Sequence, residues 1–339
     1  MDQHLGKASI LLNSPVYIKN SASIVGTKEG EGPLGLLFDM VGSDDLFGCN
    51  TWEEAESSLQ KDAVYLALEK AKLKSEEIQF IFAGDLLGQS IATSFGISSY
   101  NIPTFGVYGA CSTCGESLAL GSMAISGGYA NNVVCVTSSH FASAEKEFRF
   151  PLEYGNQRPL SATWTVTGSG AFVLSKESGD TPRGKIMGTT IGKIVDFGLK
   201  DSMNMGACMA PSAADTLIQH FTDWSRTPED YDKIITGDLG KVGQRVLIDL
   251  VREKGFDIST VHTDCGIEIF DGASQDTHSG GSGCGCSAVT LSAFLLKQLE
   301  EHNWNRILFM PTGALLSKTS FNEGNSVPGI THGVVIESV

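Results

Sequence analysis

The chain has 339 residues, 41% of them hydrophobic and 19% charged, and a net charge of −15. That is enough apolar material for one large layered domain or two ordinary ones, and it excludes a disordered chain. The acidic excess, with no Lys/Arg cluster, also excludes nucleic acid as a partner and broad attraction to anionic lipid, leaving room only for a small anion in a local pocket.

No apolar run of 18 residues occurs, so no membrane span is expected. The first 20 residues, "MDQHLGKASILLNSPVYIKN", lack the basic and apolar regions of a signal peptide. The eight cysteines are then expected as reduced thiols of a protein made in the cytoplasm.

Along the chain, helical patterns alternate with short apolar runs, which predicts an α/β layered fold. Residues 51–72 carry a Thr51 cap, acids in the first turn and apolar positions at helical spacing. Residues 78–86, "IQFIFAGDL", read as a buried strand ending in Gly-Asp. The stretch "YGACSTCGESLAL" (108–120) then places two cysteines around a Ser-Thr pair at the start of a helix.

Roughly 150 residues later the same order returns. A helix at 213–224 precedes "TPEDYDKIITGDL" (227–239), which matches 75–86 in pattern and in its closing Gly-Asp-Leu. Cys111 finds Cys265, the strand 131–139 finds 305–313, and 168–176 finds 331–338. Four echoes in one order predict two duplicated halves, 1–180 and 181–339, with helices between and outside their sheets. Ligand sites in such sheets lie beyond the carboxyl ends of strands, so both cysteine turns are expected to face one cleft.

Cys111 itself admits several readings: a nucleophile, a lining residue of a pocket, a core thiol, or half of a redox or zinc pair with Cys114. Zinc needs four ligands, and the only other close pair, "CGC" at 284–286, has unusual spacing for a structural site. No metal or cofactor is expected.

A duplicated α/β half with "ACST" (110–113) at a turn entering a helix resembles the thiolase and ketosynthase superfamily, in which that cysteine accepts the acyl group. The resemblance is closer to the stage V sporulation protein AD (SpoVAD) family. It is carried by "EGPLGLLFD" (31–39), "AGDLLGQ" (83–89), "GACSTCGES" (109–117), "SSHFASAEKEFRFPLEYGNQRP" (138–159), "TVTGSGA" (165–171), "MAPSAADT" (209–216), "DCG" (264–266), "GGSGCGCSAV" (280–289) and "TGALLS" (312–317). These segments span nearly the whole chain in order.

The resemblance implies a thiolase-like αβαβα fold. It also implies a protein that binds dipicolinic acid, with or without calcium, and works with membrane-embedded partners in loading the developing spore and in release on germination. Peripheral attachment to the spore inner membrane through those partners is expected. So is a homodimer, through a strand edge near 131–139.

Condensing enzymes of the superfamily place His and His, or His and Asn, opposite the cysteine. This chain has "DCG" and "GGSGCGCSA" at those places, so condensing activity is not expected; the alternative is acyl transfer on Cys111. A third reading is a scaffold without ligand. Under the binding reading, Cys111, Ser112 and Thr113 form a carboxylate cradle at a helix N-terminus. Arg149 and Arg158, among Phe148, Phe150 and Tyr154, are suited to bidentate carboxylate contacts. His140 is a strand-end donor, Asp264 and Cys265 stand where the first histidine would, and Gly283 permits close backbone approach. Asp85 and Asp238, the twin Gly-Asp positions, are expected as turn residues, or as calcium ligands if calcium travels with the ligand.

Overall fold

The computed structural model describes residues 3–148 and 158–339. Its first half contains β1 (Ser9–Val25), α1 (Trp52–Ala71), β2 (Phe80–Gly84), β3 (Thr104–Gly106), α2 (Thr113–Ser126), β4 (Asn132–Ser139), α3 (Phe141–Phe148) and β5 (Gly168–Ser175). The second contains β6 (Gly184–Thr190), α4 (Met205–Trp224), β7 (Lys233–Thr236), α5 (Gly240–Arg252), β8 (His262–Asp264), α6 (Cys265–Ile269), α7 (Cys284–Thr290), β9 (Arg306–Met310) and β10 (Gly333–Glu337).

The main sheet runs β3-β2-β4-β5-β1-β6-β10-β9-β7-β8. Read outward from the β1–β6 junction, each half repeats one order, and corresponding pairs agree in direction. The β2–β3, β2–β4, β7–β8 and β7–β9 pairs are parallel, while β4–β5, β5–β1, β9–β10 and β10–β6 are antiparallel. The two halves join antiparallel along the long β1.

Side-chain alternation along these strands builds the layers. In β2, β4 and β5, Ile81, Ala83, Val134, Val136, Ala171 and Val173 face α1, while Phe82, Val133, Cys135, Phe172 and Leu174 face a central core. In β7, β9 and β10, Ile234, Leu308 and Val335 join Leu217 and Phe221 of α4 in an outer core. Ile235, Ile307, Phe309, Val334 and Ile336 face inward to that same central core. Both faces of each half-sheet are therefore buried, which is why the strands read as near-continuous apolar runs. The central layer is made by α2 and by the helix that begins with α7.

Helix α1 has the expected capping box: Glu54 N donates to Thr51 Oγ1 at 3.2 Å, and Thr51 N donates to Glu54 Oε2 at 3.2 Å. Helix α4 starts upstream of the predicted 213–224, at Met205, and runs through Pro211. The proline marks no boundary there, and the helix start is capped by the Asn204 side chain, which accepts from Ala207 N. One expectation is corrected by the topology. The strand at 132–139 pairs with neighbours on both sides, so it offers no edge to a second copy; β3 and β8 end the sheet.

Candidate functional site

The turn ahead of α2 is a strained backbone corner. Ala110 has φ +51°, a left-handed conformation that costs a non-glycine residue about 1 kcal/mol or more. Local hydrogen bonds hold it. Ser112 Oγ donates to Gly109 O at 2.7 Å, Thr113 Oγ1 donates to Ala110 O at 2.6 Å, and Gly109 N donates back to Thr113 Oγ1 at 3.0 Å. The amides of Ser112 and Thr113 also bond within the turn, to Gly109 O and Ala110 O. The hydroxyls and amides expected to cradle a carboxylate are thus spent on presenting Cys111. The second half presses on this corner from above: a Cβ at Gly313 would lie 2.2 Å from Gly109 O.

Across the corner stands Asp238, which directly follows the turn residue Gly237 after β7 and is fully buried. Its carboxylate accepts from the Cys111 thiol, from Gly283 N at 3.0 Å and from Thr312 Oγ1 at 2.8 Å. Burial pushes its pKa up to about 7, against the lowering by these donors. A negative charge beside a sulfur opposes thiolate formation, whereas a neighbouring cation favours it. Gly283 has φ +101°, and a Cβ on it would lie 2.7 Å from Ser139 Oγ, so only glycine brings this amide to Asp238.

Asp264 and Cys265 turn away from Cys111. Asp264 accepts from Thr236 Oγ1 at 2.6 Å, Leu239 N at 2.8 Å and Gly240 N at 3.0 Å, fastening the start of α5. Burial raises its pKa to about 6. Cys265 is fully buried in the central core, and burial pushes its thiol well up. The two cysteine turns do not share a cleft, because the second is plugged by this packing.

His140 has both ring nitrogens engaged: Nε2 with Asp45 O at 2.7 Å, and Nδ1 accepting from Ala142 N at 3.2 Å. His262 lies between Thr236 Oγ1 and Gln244 Nε2, both at 3.1 Å, and burial lowers its pKa to about 3. Arg158 donates to Asp276 O at 2.6 Å and lies over the ring of Trp164, which stacks on Phe141 at 3.9 Å. Arg149, with Phe150 and Tyr154, lies outside the described residues.

Cys111 lines a small inner pocket of about 20 Å³ with Leu86, Tyr108, Phe148, Ser282 and Leu316. That is room for about one water. Four of these residues, Leu86, Tyr108, Phe148 and Leu316, also line an outer recess of about 450 Å³ that carries Gln89, Glu147 and Lys318. The recess has the size of a small-ligand site, and the four shared side chains form the neck between it and the sulfur.

A second acidic cluster lies beneath the first half. Glu56 of α1 is fully buried, accepts from Ser138 Oγ and Ser143 Oγ at 2.9 and 2.7 Å, and is raised by burial to about 8. Its neighbour Asp85 accepts from Leu87 N, Thr93 N and Thr93 Oγ1, so it holds its own turn. The twin Gly-Asp positions have therefore diverged. Asp85 is a turn residue as expected, but Asp238 reaches across to Cys111, a contact the sequence reasoning missed. Its signal was the repeat itself, which put Asp238 at a strand end beside the cleft.

Strand order, central helices and a cysteine on a strained corner define a thiolase-like fold. Solved structures agree at the level of fold. A point variant of OleA from Xanthomonas campestris has a TM-score of 0.61 at 15% identity, covering 96% of this chain and 99% of that one. The 3-oxoacyl-[acyl-carrier-protein] synthase III of Aquifex aeolicus VF5 has a TM-score of 0.58 at 14% identity, covering 95% and 99%. Within that fold the sequence is specific: the family model for stage V sporulation protein AD matches residues 6–337. The chain is also 44% identical over 334 residues to the stage V sporulation protein AD of Bacillus subtilis strain 168, covering 98% of this chain and 97% of the relative. The chain belongs to the stage V sporulation protein AD family, and its role lies in sporulation.

Proposed function

We propose that the chain is a non-catalytic binding protein for dipicolinic acid, serving its uptake into the developing spore and its release on germination. The observation that carries this reading is the Cys111–Asp238 pair. A thiol that donates to a buried carboxylate is a poor acyl acceptor but a usable hydrogen-bonding wall for a polar ligand. The recess supplies the remaining needs of a flat aromatic dicarboxylate: apolar walls at Leu86, Phe148 and Leu316, the Tyr108 ring, and a cation at Lys318. Rotation of the side chains at the neck opens the way to the sulfur. Calcium, if it accompanies the ligand, arrives as the chelate, because the oxygens of Asp85 and Asp238 already accept protein donors.

In this reading the protein acts beside membrane-embedded partners. No helix among the described residues is long and apolar enough to cross a membrane. Attachment to the spore inner membrane is then peripheral, through those partners, and the protein acts as a homodimer. Loss of the membrane-bound fraction in cells lacking the partners tests the attachment.

The strained corner at Ala110 and the thiolase-like fold favour a second reading, an acyl transferase using Cys111. Calorimetric titration separates the two. Saturable heat with dipicolinate, not reproduced by isophthalate and weakened by Cys111→Ala, supports binding. Absence of heat, with acyl transfer from an acyl-coenzyme A to the Cys111 peptide, overturns it.

A further inference from the structure

We propose that the pocket takes its dicarboxylate together with one proton from solution, held by Asp238 behind Cys111. The inference rests on the binding reading above. Cys111 lines the inner pocket, and Asp238 lies fully buried behind it, so an entering carboxylate meets the sulfur first. A thiol carries one proton, and in the structure that proton is directed at Asp238. When the S–H turns to the ligand, Asp238 keeps the Gly283 amide and the Thr312 hydroxyl but loses its third donor. At the same moment a second carboxylate arrives one side chain away.

Among the described residues, the titratable groups whose charges act on Asp238 include Asp264 at the end of β8, Cys265 opening α6 and Cys286 in α7, each an acid that offers no relief. Two carboxylates this close in a dry site share a proton. Protonated Asp238 then donates to the Cys111 sulfur, and Cys111 donates to the ligand, with no bond to carbon made or broken. The upward shift of Asp238, to about 7, makes this uptake easy near neutral pH.

The test is calorimetric titration of the full chain with dipicolinate in buffers of different ionisation heat. At pH 8 the expected uptake is close to one proton per ligand, falling towards none at pH 5.5, where Asp238 already holds its proton. Affinity should weaken about tenfold per pH unit above neutrality. In Asp238→Asn the amide supplies the donor permanently, so binding should persist with no proton uptake and little pH dependence. Binding by the unaltered protein without uptake at pH 8 overturns the inference and leaves the binding reading intact. Equal uptake in Asp238→Asn overturns the assignment to Asp238. No binding at all overturns both.

Discussion

The Cys111 thiol donates to the carboxylate of Asp238, and the two residues come from opposite halves of the main sheet. Each half alone makes a strand, a turn and a central helix. Only their packing sets the buried acid behind the thiol that lines the small inner pocket. The fold resembles that of condensing enzymes, while the residue facing the sulfur is a buried carboxylate.

That pairing predicts a sluggish thiol. Cys111 should react slowly with iodoacetamide at pH 7.5, and Asp238→Asn should speed the reaction about tenfold by removing the adjacent charge. Peptide mass spectrometry over a time course reads the rate at Cys111.

Gly283→Ala should destabilise the protein by about 2 kcal/mol or more, through its left-handed backbone and the overlap with Ser139. Because Gly283 N also holds Asp238, dipicolinate affinity should fall as well. Urea denaturation and calorimetry measure the two effects separately.

Asp264→Ala should cost about 3 kcal/mol or more, because it strands the Leu239 and Gly240 amides and the Thr236 hydroxyl in the interior. Arg158→Ala, which loses a carbonyl contact and stacking on Trp164, should cost about 1 kcal/mol and leave dipicolinate affinity unchanged. Denaturation midpoints and parallel titrations check this contrast.

Stability should peak in mildly acidic solution. Glu29, Asp238 and Glu56 are raised by burial to about 7, 7 and 8, so the folded state holds protons that the unfolded chain releases. Their contribution is complete below the ordinary carboxylate range and is lost as pH rises through 7 and 8. His220, His262 and His332 are depressed by burial to about 3, 3 and 4, so their contribution is lost as pH falls below the ordinary histidine value. Between these limits the two trends oppose each other. Above pH 7 the acids act without the histidines, joined near pH 9 by the buried thiols, whose pKa values burial also raises, and the urea midpoint should fall. Glu56→Gln should flatten that alkaline slope.

Local features were the legible ones. The Thr51 capping box, the strands at 80–84 and 132–139, and the helix after Cys111 are set by neighbours in sequence. Of the candidate site, Cys111 on its turn and Gly283 with its close backbone approach were legible. Ser112 and Thr113 looked free to bind because their hydroxyls offer donors, yet the strained corner consumes them. Nothing in the sequence singled out Glu56, whose burial depends on Ser138 and Ser143 arriving from β4 and α3. Asp238 could be placed at a strand end, but its aim at Cys111 depends on how the halves pack. Arg158 looked like a carboxylate clamp, and its contacts with Trp164 and the Asp276 carbonyl depend on segments far from it in sequence.

The most direct test is the alkylation rate of Cys111 with and without saturating dipicolinate, read by peptide mass spectrometry with isophthalate as control. Ligand seated against the sulfur should slow the reaction by about tenfold or more, because an occupied pocket closes the path to the thiol, and isophthalate should leave it unchanged. An unchanged rate under saturating dipicolinate would place the ligand elsewhere and contradict the account.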